Sequence, residues 1–127
     1  MVRLSVPVAS ARNLVGLFST YHKQLPLVYY ITGKLYSEGE GLNYGLAEYN
    51  LRMAASLAPE TDVAADANAS LAMLLLKKPA AAENRLQYLE ESLQLAGEAL
   101  KFNPDNEYYS YISNEAARLI RLEEKGE

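Results

Sequence analysis

The sequence contains no cysteine and no tryptophan. Without cysteine there is no disulfide, no zinc–thiolate site and no thiol nucleophile. That absence says nothing about redox compartment. Histidine occurs once, at His22, beside Tyr21, Lys23 and Gln24 and with no acidic residue three or four positions on to orient it. Serine-histidine-aspartate catalysis therefore has only one imidazole to draw on, and nothing near it in the chain recommends it. Positive charge is also scarce in any one place. The formal net charge is −4, the sequence pI is about 5.1, and the longest basic run is Lys77-Lys78. Neutralising phosphates takes a clustered cationic face, so the composition argues against nucleic-acid binding. No apolar run approaches the ~18–20 residues needed to span a bilayer. The N-terminal apolar stretch is short and broken by Pro7, Ser10 and Arg12, a poor secretory signal. The expectation is a soluble chain, cytoplasmic if it is not a piece of a longer protein, with no direct membrane insertion.

The residues that are abundant point to helix. The chain has 127 residues, enough for one domain with a core of its own, and 50% of them are hydrophobic. Leu and Ala dominate over Val and Ile, which favours helix over strand. Tyr occurs ten times against two Phe; its ring packs while its hydroxyl stays wet, which suits helix interfaces and binding surfaces equally. Pro and Gly divide the chain into helix-length pieces. A first helix is expected over residues 8–22, with Ala11, Leu14, Val15, Phe18 and Tyr21 at helical spacing. Pro26 suits the first turn of a second, Leu27 to Ser37, where its missing N–H would be unpaired anyway. Glu38-Gly39-Glu40-Gly41 makes a tight connection to a third, Leu42 to Leu57, ended by Ala58-Pro59. Thr61 or Asp62 caps a fourth that runs to Lys78, whose last-turn lysines suit the negative end of the helix dipole. After Pro79 a looser connection, whose alanines can also extend the next helix backwards, leads to a fifth helix, Arg85 to Phe102. Asn103-Pro104-Asp105 then precedes a sixth, Glu107 to about Leu122, and the final Glu-Glu-Lys-Gly-Glu is expected to fray.

Two of these hairpins resemble each other. Tyr29-x2-Thr32-Gly33-x2-Tyr36 is followed by Ala47-x3-Leu51, Ala54 and Pro59. Asn68-x2-Leu71-Ala72-x2-Leu75 is followed by Ser92-x3-Ala96, Ala99 and Pro104. A third opening helix occurs at Tyr109-x2-Ile112-Ser113-x2-Ala116. In this arrangement Gly33, Ala72 and Ser113 allow the paired helix to approach, while Ala47, Ala54 and Ala99 do so from the other side. The pattern resembles the tetratricopeptide repeat (TPR) family over about Pro26 to Ala116, with Thr32 in place of Leu in the first repeat and both aromatics lost from the second. The spacing from Pro59 to Pro104 exceeds the ~34-residue TPR period, with the excess in turns where insertions cost little. The resemblance implies an all-α fold of antiparallel helix hairpins stacked as a short right-handed α-α superhelix of about six helices in one domain. Within it, 8–22 is an N-terminal packing helix, 26–59 the first repeat, 62–104 a degenerate second, and 107–122 a capping helix.

No enzyme motif emerges. Glu38, Glu40, Glu48 and Glu90-Glu91 lack the Glu-x-x-His of di-metal bundles and read as solvated helix faces. Gly39-Glu-Gly41 lacks the strand and third glycine of a nucleotide loop, and the sequon Asn68-Ala-Ser70 falls within a helix. The expectation is a non-catalytic module with no cofactor and no metal. In TPR proteins the opening helices line a concave groove that takes a peptide or a partner's helix. Carried onto this chain, that groove would present Leu27, Tyr30, Lys34 and Ser37, then Asp66, Ser70, Met73 and Lys77, then Tyr111 and Asn114. Some TPR domains clamp a terminal carboxylate with Lys, Asn and Arg, and only Lys34 matches that set. The alternative is a structural or self-associating domain, or a soluble appendage of a larger protein, since short arrays with exposed apolar ends stack.

Overall fold

Asp62–Lys77 reads Asp-Val-Ala-Ala-Asp-Ala-Asn-Ala-Ser-Leu-Ala-Met-Leu-Leu-Leu-Lys, and ten of these 16 residues are buried. A helix with apolar residues on nearly every side has to be surrounded, and the rest of the chain does this. A computed structural model describes residues 24–126, in which there are five α-helices, a short 3-10 turn at Gly39–Gly41 and no strand. They are α1 (24–36), α2 (Tyr44–Leu57), α3 (Asp62–Lys77), α4 (Ala82–Phe102) and α5 (Glu107–Lys125). The expected helix 8–22, with His22, lies outside the described residues.

Local chemistry sets the helix ends. Asn43, Thr61 and Asn106 each accept a hydrogen bond from the backbone N–H three residues on, at Leu46, Ala64 and Tyr109. The Asn43 cap moves the start of α2 to Tyr44, two residues later than the spacing suggests. α1 is already helical at Gln24, and Ala82 belongs to α4. α5 stays helical to Lys125 where fraying was expected, and Gly126 N–H closes its last turn on Leu122 O at 2.8 Å. α3 has no glycine at its end. Its last carbonyls are instead satisfied by side chains: Arg85 Nη1 donates to Leu76 O at 2.8 Å and Tyr44 Oη to Lys77 O at 3.3 Å.

These contacts also set direction. The start of α2 meets the end of α3 at Tyr44 and Lys77, and the start of α4 meets the end of α3 at Arg85 and Leu76. The start of α5 meets the start of α3, where the Tyr109 hydroxyl donates to Asp66. Helices α2 to α5 therefore alternate in direction, and α1, whose end is tied to the start of α2 by Asn43 N–H on Tyr36 O at 2.8 Å and whose Gly33 lies against Leu51, continues the alternation. α3 packs on α2, α4 and α5, and α4 packs on α5. Around α3 the core divides in two. On one side Ala67, Leu71, Leu74 and Leu75 meet Ala47, Leu51 and Ala54 of α2, with Tyr29, Tyr30 and Tyr36 of α1 beside them. On the other, Ala65, Ala69 and Ala72 meet Leu89, Ala96 and Ala99 of α4 and Tyr109, Ile112 and Ala116 of α5.

Small residues bring the helices this close. A Cβ placed on Gly33 would sit 2.7 Å from Leu51 Cγ and 3.1 Å from the Leu51 backbone nitrogen, so α1 touches α2 where α1 has no side chain. In the next pair the buried Ser92 hydroxyl donates to Ala72 O at 2.7 Å, and the Ala72 side chain is itself fully buried. On the outer surface Arg52 joins α2 to α4 through Glu91 at 2.8 Å. Lys78 meets Glu48 at 2.6 Å and lies over the Tyr88 ring, 4.7 Å from its centroid. The exposed Arg52 pair contributes at most about 1 kcal/mol; apolar burial holds the stack.

Two glycine substitutions test this account with opposite signs. Gly97 lies within α4 with nothing within 4 Å of an added Cβ. Gly97→Ala should stabilise the protein by up to about 1 kcal/mol through helix propensity alone. Gly33→Ala gains the same propensity but collides with Leu51, and overpacking of this kind costs ~1–3 kcal/mol. It should be net destabilising, and Gly33→Val more so. Urea denaturation of the three variants measures this; a stabilised Gly33→Ala would mean that α1 does not sit against Leu51.

Candidate functional site

Because α1, α3 and α5 run in parallel, side chains from all three reach a common surface. Lys34 of α1 and Ser37 just beyond its end, Met73 and Lys77 of α3, and Tyr108 of α5 line one open depression of about 440 Å³, together with Tyr44 of α2. Beside it, Tyr30, Ile31, Lys34 and Leu35 border a shallower apolar depression of about 510 Å³. Lys34 borders both. Its ammonium lies 3.3 Å from Glu38 one turn on, an exposed pair of little energetic weight that an incoming group can displace. Lys77 has no ion pair among the described residues. Burial pushes the Tyr108 phenol above its ordinary pKa, an effect partly opposed by Lys34, with Tyr30, Glu38 and Tyr111 in electrostatic reach. The surface thus offers two cations, several phenol hydroxyls and a thioether over an apolar floor. That combination suits binding, through hydrogen bonds, ring contacts and an adaptable methionine.

The residues expected from sequence are spread unevenly over this region. Lys34, Ser37, Met73 and Lys77 come together in the first depression, and Tyr30 borders the second, shallower one. Ser37 turns its hydroxyl back onto Lys34 O at 2.7 Å, and Met73 is half-buried against the core. Leu27, Tyr111 and Asn114 are exposed. Asp66 is half-buried and accepts the Tyr109 hydroxyl, so its carboxylate already has a partner. Ser70 is buried and offers nothing to a ligand at the surface. Tyr108 and Tyr44 were missed. Tyr109, Ile112 and Ala116 of α5 face the core at the helical spacing of the sequence pattern, and Tyr108 and Tyr111, three residues apart, lie at the surface. That pair of tyrosines on the polar side of an amphipathic helix was the available signal.

No protein-family model, no curated protein and no solved structure matches the chain. Among the described residues, no group of three His, Asp or Glu side chains is placed to hold a metal ion, and no helix is long and apolar enough to cross a membrane.

The Tyr109–Asp66 hydrogen bond fixes the face that α5 turns toward the depression. Desolvation of the buried ring, and then the hydrogen bond to the Asp66 carboxylate, hold the Tyr109 phenol neutral well above its ordinary pKa of 10. A group whose folded pKa is raised adds stability that is complete below the unfolded pKa and is lost as pH climbs beyond it. Stability should therefore fall as pH rises above about 10. Tyr109→Phe should cost about 1–2 kcal/mol at neutral pH, as expected for a hydrogen bond to a charged group that water can partly replace. It should also flatten the alkaline loss. Denaturation curves at pH 7 and 10.5 (roughly either side of the phenol's ordinary value) measure both; identical alkaline slopes in the two proteins would refute the assignment.

Proposed function

We propose that the chain is a non-catalytic protein–protein interaction module of TPR-like architecture, binding a peptide or helix of a partner protein across α1, α3 and α5. In this reading the hairpins α1–α2 and α3–α4 are two repeats of a short right-handed superhelix, and α5 caps it. Residues 8–22 supply a sixth helix in front. The observation that carries the proposal is the convergence of Lys34, Ser37, Met73, Lys77 and Tyr108, from three separate helices, on one open depression. The equivalent close approaches at Gly33 and at Ala72 support the repeat. Tyr, Met and cationic side chains on a rigid helical surface are what peptide recognition uses, with tyrosine prominent among the residues that dominate binding energy. The module requires neither cofactor nor nucleic acid, and a cytoplasmic location accords with the composition.

Selection from a random peptide-display library on the intact protein tests the groove directly, whatever the natural partner. Peptides so enriched should bind the double variant Tyr30→Ala/Lys34→Ala at least tenfold more weakly, about 1.4 kcal/mol, while its helicity is unchanged. Equal affinity for wild type and variant would remove these residues from the site.

A second reading, a structural domain that associates with itself, is favoured by the exposed Leu27, Val28, Ile31 and Leu35 along α1. Light scattering over a wide concentration range separates the two readings. A monomer at every concentration rejects self-association, and a mass that grows with concentration supports it.

A further inference from the structure

Counted from the close-approach residues Gly33 and Ala72, α1 and α3 can be laid on each other. Val28, Ile31 and Leu35 then occupy in α1 the positions of Ala67, Ser70 and Leu74 in α3. In α3 those positions are 0%, 7% and 3% exposed, with Ala67 and Leu74 packed in the cluster shared with α2. In α1 they are 48%, 50% and 70% exposed. The face that α3 buries is thus bare in α1, although its three side chains are wholly apolar and two of them are larger. The opposite end of the stack is finished differently. α5 carries Ser110, Asn114, Arg118 and Arg121 away from its buried Tyr109, Ile112 and Ala116, a polar surface of the kind that terminates a helical array. One end of the stack is largely polar and the other presents an apolar face.

We propose that residues 8–22 of the same chain cover this face as an antiparallel helix, standing to α1 as α2 stands to α3. Three features of the sequence select this occupant. Ala11, Leu14, Val15 and Phe18 make one apolar stripe, with Asn13, Gly16 and Thr20 on the other side. A reversal over residues 21–23 leaves residues 8–20 for the helix, about 20 Å at 1.5 Å per residue, the same length as α1. It brings Val15 opposite Ile31, Phe18 opposite Val28 and Ala11 opposite Leu35, three apolar pairs in one register. Short αα-hairpin connections of this kind are common. A second copy of the chain would have to outcompete a segment tethered next to the face, whose effective concentration is far higher. The covering helix rests on the sixth helix of the proposed architecture and would also roof the depression bordered by Ile31 and Leu35, whereas the one lined by Met73, Lys77 and Tyr108 lies outside the paired residues.

The absence of cysteine makes the test direct. The double variant Val15→Cys/Ile31→Cys, treated with a short bis-maleimide, should give a monomer cross-linked within itself, in a yield several-fold above Asn13→Cys/Ile31→Cys, whose first site lies on the far side of the segment. Equal yields from the two pairs, or a product that is mainly covalent dimer, would overturn the proposal, the latter pointing to a second copy on the face. Circular dichroism verifies that both variants fold. As an independent measurement, Val15→Asp should lower Tm by several degrees and Asn13→Asp should leave it in place. The same Tm for both would also overturn it.

Discussion

Everything in this stack depends on how closely helices can approach when the side chain between them is removed or reduced. At Gly33 the backbone of α1 lies against Leu51 with no room for a Cβ, and at Ala72 a buried serine from α4 reaches the α3 backbone itself. α3 is the helix that benefits. Alanines on two sides let α2, α4 and α5 draw in around it, and its leucines fill what space remains. Close packing multiplies dispersion contacts and removes apolar surface from water, and the two effects together outweigh the thin outer ion pairs.

The same geometry creates the candidate site. Antiparallel neighbours joined by short turns force alternate helices to point the same way, so α1, α3 and α5 present their exposed edges side by side. Lys34, Met73, Lys77 and Tyr108 are far apart in sequence and become neighbours only through that alternation. Their surroundings are rigid because each helix is anchored elsewhere: α1 by the contact at Leu51, α5 by the Tyr109 hydrogen bond to Asp66, and the end of α3 by Arg85 and Tyr44. A surface held this way would lose little freedom on meeting a ligand.

Much of this was legible in the residues. Leu and Ala at helical spacing, interrupted by Pro and Gly, located α2 to α5 to within a few residues. Thr61 was recognisable as a cap because capping is a local hydrogen bond between neighbours in the chain. The small residues Gly33 and Ala72 were identifiable as contact points, since a Gly or Ala amid large apolar residues has few other uses in a helix. The site was legible only in part. Lys34, Ser37, Met73 and Lys77 border one depression, to which Tyr108 adds, whereas Ser70 is buried and Asp66 is already hydrogen-bonded.

What the sequence by itself determined is the local part: an all-helical chain, the turns between helices, and the positions where two helices must touch. These follow from backbone preferences and from side chains within a turn or two of each other. The tertiary structure alone decided how each helix is rotated about its axis. Successive residues lie about 100° apart around a helix, so a one-position difference in packing exchanges an inward residue for an outward one. That rotation brought Tyr108 beside Lys34, buried Ser70, and left Val28, Ile31 and Leu35 facing outward. It is set by contacts between distant segments, which no short stretch of sequence contains.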